Sequence, residues 1–333
     1  MELDEPASVG DLLEQLKAIA EATRLRILAA LESCELTVSE ICDVLGQTQP
    51  RVSRHLRLLS DAGLLKRHAE GTSAYYGIQR DSNLLEALVP LIDRTSPVLQ
   101  RDQDRLDTVR RLRANRAAEY FAQVAEEWDQ LREVHAPTSE VEAAMLAAVP
   151  TPFVDSVLDI GTGTGRILEV FADRTAQGLG VDRSRQMLSV ARARLDADHL
   201  SHCSVRHSDI YNLDVPDRSQ DVVILHHVLH FLSNPASALD VANQLLAPNG
   251  TLLVVDFSAH ELERLRTDHA HSHLGFSDAE VAQWCTGLGL GPVAIQQFPP
   301  PPNSGDNALT VTLWTATKPM NSELPPRELE AAR

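Results

Sequence analysis

The sequence predicts a multidomain chain of 333 residues: a small, mainly α N-terminal module with a β-wing, then an α/β domain on a mostly parallel sheet. Three observations carry that prediction. Apolar residues recur at helical spacing from Leu12 to Leu59. They give way to an alternating apolar and polar hairpin, LLKRHAEGTSAYYGI. Beyond Val154, short apolar runs alternate with helical stretches, the rhythm of βαβ units whose sheet is covered on both faces.

The first module reads element by element. Residues 11–31 repeat Leu12, Leu16, Ile19 and Ala20, then Leu25, Leu28 and Leu31, with Thr23 expected as the cap between two helices. TVSEICDVLG is a short helix stopped by Gly46. In TQPRVSRHLRLLSDAGLL, Val52, Leu56 and Leu59 share one face, and Arg51, Arg54 and Arg57 project from the other. The hairpin turns at Glu70-Gly71 and reads as a two-stranded wing. Helices followed by a wing form a compact DNA-reading module, expected over residues 1–81. Residues 82–117 are helical with breaks near Pro90 and Pro97. They read as a dimerisation segment and linker between copies of the chain, and a further helix, EYFAQVAEEWDQLREVH, opens the second domain.

In that domain, expected over 118–317, the strands are VDSVLDIG, AQGLGVD, CSVRHSD, QDVVILHH and GTLLVVDF, then GPVAIQQF and ALTVTLWTAT across a Pro-rich loop. The segment ERLRTDHAHSHLGFS is expected to be helical up to Gly275, and the tail 318–333 to be disordered.

Composition narrows the class. With 43% hydrophobic and 23% charged residues the chain is an ordinary globular one, and no apolar run of eighteen residues is present to span a membrane. The N-terminal MELDEPASVG lacks the apolar core of a secretory signal. Cys34, Cys42, Cys203 and Cys285 lack CxxC spacing and read as reduced thiols of a cytoplasmic protein, not a disulfide framework or a zinc site. The net charge of −17 disfavours nucleic acid overall, yet it is segregated. Between Gln49 and Arg80 six basic residues (Arg51, Arg54, Arg57, Lys66, Arg67, Arg80) face two acidic ones, Asp61 and Glu70.

The sharpest motif is Asp159-Ile160-Gly161-Thr162-Gly163-Thr164-Gly165, between an apolar strand and the helix RILEVFADR. Alternating glycines let the backbone turn tightly and a ligand approach where a Cβ would clash, and a helix N-terminus favours a negative group. Asp182 ends the next strand about 20 residues on, placed for a ribose diol. By itself such a turn also suits a nicotinamide or flavin enzyme. However, the spacing is GxGxG and not GxGxxG, and the motif resembles the first motif of class I S-adenosylmethionine (SAM)-dependent methyltransferases. Ser208-Asp209-Ile210, QDVVILHHVLHFL and LLAPNGTLLVVDF resemble the later motifs in family order, over roughly residues 118–317.

The resemblance implies a Rossmann-like, mostly parallel seven-stranded sheet and a SAM or S-adenosylhomocysteine site. It places Gly161, Gly163 and Gly165 at the methionyl part and ribose, Asp159 at the amino group and Asp182 at the ribose hydroxyls. Asp209 and Ile210 fall at the adenine and His226 near the transferred methyl, with Thr162, Arg183 and Met187 completing the pocket. Methyl transfer from a sulfonium draws much of its acceleration from attack geometry, so no base is required. Candidates nonetheless include His226, His227, Asp256 and His269, with His230 beside them and His271 and His273 alternating with His269. No cysteine or carboxylate cluster completes a metal site around HAHSH, so none is assigned. Tyr120, Phe121, Trp128 and the 260–280 segment are expected to select the acceptor, an unidentified small molecule.

EATRLRILAAL, LTVSEICDVLG and TQPRVSRHLRLLSDAGLLKRHAEGTSAYYGI resemble the ArsR/SmtB family of winged helix-turn-helix regulators. That resemblance implies a dimer on a palindromic double-stranded operator, with the helix beginning near Thr48 in the major groove. Gln49, Ser53, Arg54 and His55 would reach bases or phosphates, Arg51, Arg57, Lys66 and Arg67 would position the protein, and Tyr75 with Tyr76 would flank a groove. The pattern departs from the metal-sensing members, which carry paired thiols where Glu35-Leu36-Thr37-Val38-Ser39-Glu40-Ile41 stands. Three readings follow: a regulator with an active small-molecule methyltransferase, a regulator sensing SAM or S-adenosylhomocysteine, and a methyltransferase whose winged helix serves dimerisation alone.

Overall fold

The computed structural model describes residues 8–70, 73–79, 82–132, 138–268, 271–301 and 308–320. The chain divides into two compact units, Met1–Ala118 with Arg192–Ser204, and Glu119–Ala191 with Val205–Arg333.

The first unit opens with α1 (Val9–Ile19) and α2 (Ala22–Leu31). The cap of α2 is Glu21, whose carboxylate accepts from Arg24 N–H. Thr23, the expected cap, is instead buried inside the first turn. β1 (Leu36–Thr37) leads into α3 (Val38–Leu45). A capping box closes this start: Thr37 Oγ1 accepts from Glu40 N–H at 3.3 Å, and Glu40 accepts from Thr37 N–H at 2.8 Å. Gly46 ends α3 in the left-handed region, as its missing Cβ allows. α4 (Gln49–Asp61) buries Val52, Leu56 and Leu59 on one face. The wing, β2 (Leu65–Glu70) and β3 (Ser73–Ile78), is antiparallel, and β1 pairs with β3 to make a third strand that two residues could not announce in sequence. The turn residue Gly71 and Arg80 lie outside the described residues.

α5 (Asn83–Leu88) ends ahead of Pro90 in a short 3₁₀ turn. α6 (Pro97–Arg132) then runs unbroken for 36 residues, without the separate helix expected at Glu119, because no Gly or Pro interrupts it. The side chains of Tyr120, Phe121 and Trp128 lie outside the described set.

After α6 come α7 (Thr138–Ala148), β4 (Val154–Ile160), α8 (Arg166–Phe171), β5 (Thr175–Asp182), α9 (Arg185–Ala197), β6 (Cys203–His207) and β7 (Gln220–His226), all of the second unit except the stretch Arg192–Ser204. Then come α10 (Pro235–Leu245), β8 (Leu246–Phe257), α11 (Arg264–Asp268), α12 (Asp278–Gly287), β9 (Ala294–Phe298) and β10 (Val311–Thr317). The seven strands order as β6-β5-β4-β7-β8-β10-β9; β4, β5, β7 and β8 pair in parallel, while β10 runs antiparallel to β8 and β9. Apolar residues fill both faces. Leu158, Val223 and Leu252 pack in one cluster, Val157, Ile224 and Leu253 in the other, as strict alternation requires. α11 stops at Asp268, so His271 and His273 sit in irregular backbone and not on the expected helix; His269 lies outside the described residues. Lys318 is no tail residue: it is buried, and its Nζ donates to the Asn243 and Leu246 carbonyls at 2.6 and 2.9 Å. Residues 302–307 and 321–333 lie outside the described residues.

Thr37→Ala removes the hydroxyl half of the α3 capping box. The expected loss is about 1 kcal/mol of stability, read as a lower urea midpoint at unchanged slope.

Candidate functional site

Parallel pairing brings the carboxyl ends of β4, β5 and β7 to one end of the sheet, and the glycine loop follows β4 there. Gly161, Gly163 and Gly165 have φ of +76°, +53° and +80°. Gly161 and Thr162 N–H both donate to Val181 O, at 2.8 and 3.0 Å, tying the loop to β5. A Cβ on Gly161 would lie 2.5 Å from Val228 Cγ2, and one on Gly180 would lie 2.6 Å from Thr162 Oγ1. A Cβ on Gly163 would meet nothing within 4 Å, so its backbone borders open space.

Two carboxylates flank the loop. Asp182 Oδ2 accepts from Gly163 N–H at 2.9 Å, and its Oδ1 accepts from Ser184 N–H at 2.7 Å. Carboxylate oxygens retain further lone pairs, so Asp182 fixes the loop and still has capacity for a hydroxyl donor. Asp159, paired in register with Gly180 and Ile224, is 1% exposed. Neither of its oxygens makes a hydrogen bond of good geometry with a described residue. Burial pushes its carboxyl up to about 7; the nearby Thr162 hydroxyl opposes that rise and the Asp182 charge adds to it. A buried carboxylate with no cation beside it among the described residues is what an ammonium-bearing ligand would satisfy.

Around the loop, Ile210 is buried, Met187 half-buried and Arg183 exposed. Asp209 accepts from Tyr211 N–H at 3.0 Å and sits 3.5 Å from Arg183 Nε. His226 closes β7, and His227 follows with φ +52°, its N–H bonded to Val255 O. Sequence spacing did not reveal the pair formed 26 residues apart: His230 Nδ1 lies 2.6 Å from Asp256 Oδ1. His271 stacks on His230 with centroids 4.2 Å apart. Donor atoms of His227, His230 and Asp256 lie within 4.8 Å of one another. A metal ion bound through both members of the pair would have to displace the bond between them.

On α4, Gln49, Arg51, Ser53, Arg54 and Arg57 are exposed, as are Lys66 and Arg67 on β2. His55 is half-buried, 3.6 Å from Glu21, and burial lowers its pKa. Tyr75 is also half-buried and stacks on His68, so neither side chain shows the open presentation expected of a groove contact. All four cysteines are free, and burial pushes the Cys34 and Cys285 thiols up to about 11.

The helices and wing of the first unit make a winged helix-turn-helix, and the strand order and loop of the second make a Rossmann-like methyltransferase fold. Residues 21–67 match the family model of bacterial regulatory proteins of the arsR family, and residues 158–254 match that of the methyltransferase domain. The chain thus joins an ArsR-family DNA-binding domain to a methyltransferase domain. The arsenical resistance operon repressor of Escherichia coli (strain K12) is 42% identical over 65 residues, 19% of this chain and 56% of the repressor. An uncharacterized 37.1 kDa protein in transposon TN4556 of Streptomyces fradiae is 31% identical over 153 residues, 42% of this chain and 44% of that one. An arsenite methyltransferase of Aquipseudomonas alcaligenes is 34% identical over 124 residues, 34% of this chain and 36% of the enzyme. The chain spans less than two thirds of the length of each of these relatives. Among the described residues, no helix is long and apolar enough to cross a membrane.

Gly161→Ala forces a methyl against Val228 at a left-handed backbone position, and about 1–3 kcal/mol of stability should be lost. Gly163→Ala meets no neighbour and should cost about 1 kcal/mol through its φ alone. Thermal unfolding of the two variants side by side checks the contrast.

Proposed function

We propose that the chain is a DNA-binding transcriptional regulator whose methyltransferase domain binds SAM at the glycine loop and serves a small-molecule acceptor. Asp159 is the observation that carries this reading: its carboxylate is buried at the start of the loop, with no hydrogen-bond partner of good geometry among the described residues. In this reading Asp159 faces the cofactor's amino group. Asp182 takes the ribose hydroxyls while keeping Gly163 N–H as its donor. Ile210 and Asp209 border the adenine, with Thr162, Arg183 and Met187 around the pocket. When bound, the cofactor supplies a sulfonium methyl group. The protein supplies position, which is the larger part of what such a displacement needs.

For the first unit, the exposed arginines of α4 favour operator binding over a purely dimerising role. α1 also exposes Leu12, Leu13 and Leu16, an apolar stripe suited to a second copy of the chain and hence to a palindromic operator. Arsenite is not the favoured acceptor, because the second domain's cysteines, Cys203 and Cys285, are both buried. α3 holds a single thiol, Cys42, and not a pair, which leaves cofactor occupancy as the input that would set operator affinity, in a cytoplasmic setting.

Binding of the ammonium requires Asp159 as carboxylate. Because burial raises its pKa to about 7, the group is neutral below that pH and charged above it. SAM affinity should therefore fall by up to about tenfold per pH unit below 7, with a proton released on binding. Calorimetry in buffers of different ionisation enthalpy reads both effects, and Asp159→Asn should abolish the dependence. Operator binding by the full chain, titrated separately with SAM and S-adenosylhomocysteine, tests the regulatory half. Unchanged operator affinity with either ligand, and identical behaviour of Asp182→Ala, would end the sensing arm. Arg54→Ala should weaken operator binding and reduce the slope of log affinity against log salt by about one, measured by fluorescence anisotropy.

A further inference from the structure

At the carboxyl ends of β7 and β8, the imidazoles of His227, His230, His260 and His271 gather near one carboxylate, Asp256. Asp256 is fully buried and is met by two neighbours: His230 Nδ1 at 2.6 Å, His230 N–H at 3.2 Å and Phe257 N–H at 2.8 Å. That arrangement fixes the imidazole. With Nδ1–H given to the carboxylate, Nε2 is the basic nitrogen, and a proton arriving there creates an imidazolium facing a buried anion. A contact this short is of the charge-assisted kind.

The pair is also held from its other sides. Ser272 and His273 N–H both donate to His230 O, at 2.8 and 3.1 Å, which keeps the stacked His271 ring over the His230 ring. Phe257 lies 5.2 Å from His230 between ring centroids, and Phe231 lies 4.1 Å away. Phe231 remains 48% exposed, which leaves an aromatic surface open beside a shielded base. Val228, two residues before His230, is the side chain that a Cβ on Gly161 would strike, so this turn packs directly on the glycine loop. His227 holds a left-handed backbone at φ +52°, a strain found where a site over-determines its chain.

The geometry points to a His230–Asp256 proton-accepting pair serving an uncharged aromatic hydroxyl as methyl acceptor. This inference rests on the cofactor reading given above. A phenolic hydroxyl, with a pKa of about 10, is a poor nucleophile at neutral pH until its proton is removed. His230 Nε2 takes that proton. The oxygen lone pair so released forms the new bond to the methyl carbon, while the carbon–sulfur bond breaks and its electron pair stays on sulfur, leaving a neutral thioether. The imidazolium is held by Asp256 until the proton passes to solvent. The acceptor's class follows from the walls. Phe231, about half exposed beside the buried His230, offers the face for an aromatic ring, and Phe257 and His271 back the base from behind. Of the two arginines of the adjoining α11, Arg264 and Arg266, the latter is engaged by Ser272 O and Glu263. Asp256 is a positioning residue in this scheme and His230 the catalytic one.

The test uses the full chain with two phenols, 4-nitrophenol and 4-methylphenol, and begins with SAM affinity of wild type, His230→Gln and Asp256→Asn by calorimetry. Equal affinities show that each variant is folded and loaded; absence of SAM binding in wild type defeats the cofactor reading itself. With S-adenosylhomocysteine bound, the absorbance of 4-nitrophenol should show its ionisation midpoint moved down by about one pH unit in wild type and unmoved in both variants. In turnover with SAM at a pH where 4-nitrophenol is already ionised, His230→Gln should methylate it within about threefold of wild type. The same variant should lose at least about a hundredfold on neutral 4-methylphenol, the usual scale of a lost general base. Equal losses on both phenols, no methylation of either phenol by SAM-loaded wild type, or a midpoint unmoved in wild type would each overturn the proposal. So would a stoichiometric metal ion whose removal abolishes turnover. Should Asp256→Asn fail to bind SAM, His230→Gln and His230→Ala carry the comparison alone.

Discussion

Parallel pairing of β4 with β5 on one side and β7 on the other is the constraint from which the second unit's chemistry follows. Strands running in one direction deliver their carboxyl ends to a common edge, and each end must turn outward there to reach a crossover. The β4 end makes its turn with Gly161, whose place against Val228 excludes any side chain. The β5 end contributes Asp182, which holds the loop by accepting from Gly163 N–H. The β7 end contributes the histidines. Asp159 is carried into the same edge, pinned between Gly180 and Ile224 by register, and stays buried because the sheet leaves it nowhere else to go. An unneutralised carboxyl there is costly to ionise, and the proton it retains is a consequence of the fold that a cationic ligand would relieve.

Two kinds of buried acid emerge from this edge. Asp159 lacks a good partner among the described residues, while Asp256 has three donors, one of them the His230 imidazole at 2.6 Å. The difference lies in what each neighbouring turn supplies: the glycine loop brings only the Thr162 hydroxyl near Asp159, whereas the turn after β7 brings the His230 imidazole to Asp256. In the proposed reading, the acid left unsatisfied is the one that admits a charged ligand, and the acid satisfied internally is the one that handles a proton.

The first unit separates its tasks by face. α4 buries Val52, Leu56 and Leu59 and leaves Arg51, Arg54 and Arg57 to solvent, so a chain of net charge −17 still presents a basic helix. Its thiols take no such position: Cys34 is buried with its pKa raised, and Cys42 is half-buried. Where thiol-sensing relatives would place ligands, Thr37 closes a capping box with Glu40 instead.

Local pattern was enough to read α3, α4, the wing and the alternating strands and helices, because their periodicity and punctuation are local properties of the chain. The glycine loop and Asp182 were legible for the same reason, lying within one βα turn and its successor. Contacts distant in sequence were not. The third strand β1 is two residues long and exists through its pairing with Tyr75 and Tyr76. The half-burial of His55 depends on Glu21, and Lys318 was read as tail because nothing nearby in sequence announces the Asn243 and Leu246 carbonyls it meets. Likewise His230 and Asp256 are separate candidates in the sequence and become a pair only when β7 and β8 lie side by side. The sequence by itself determined which elements form and which residue types sit at their ends. Tertiary structure decided which of those ends meet, since hydrogen bonds and burial at the sheet edge depend on strand order, and strand order is not a local property.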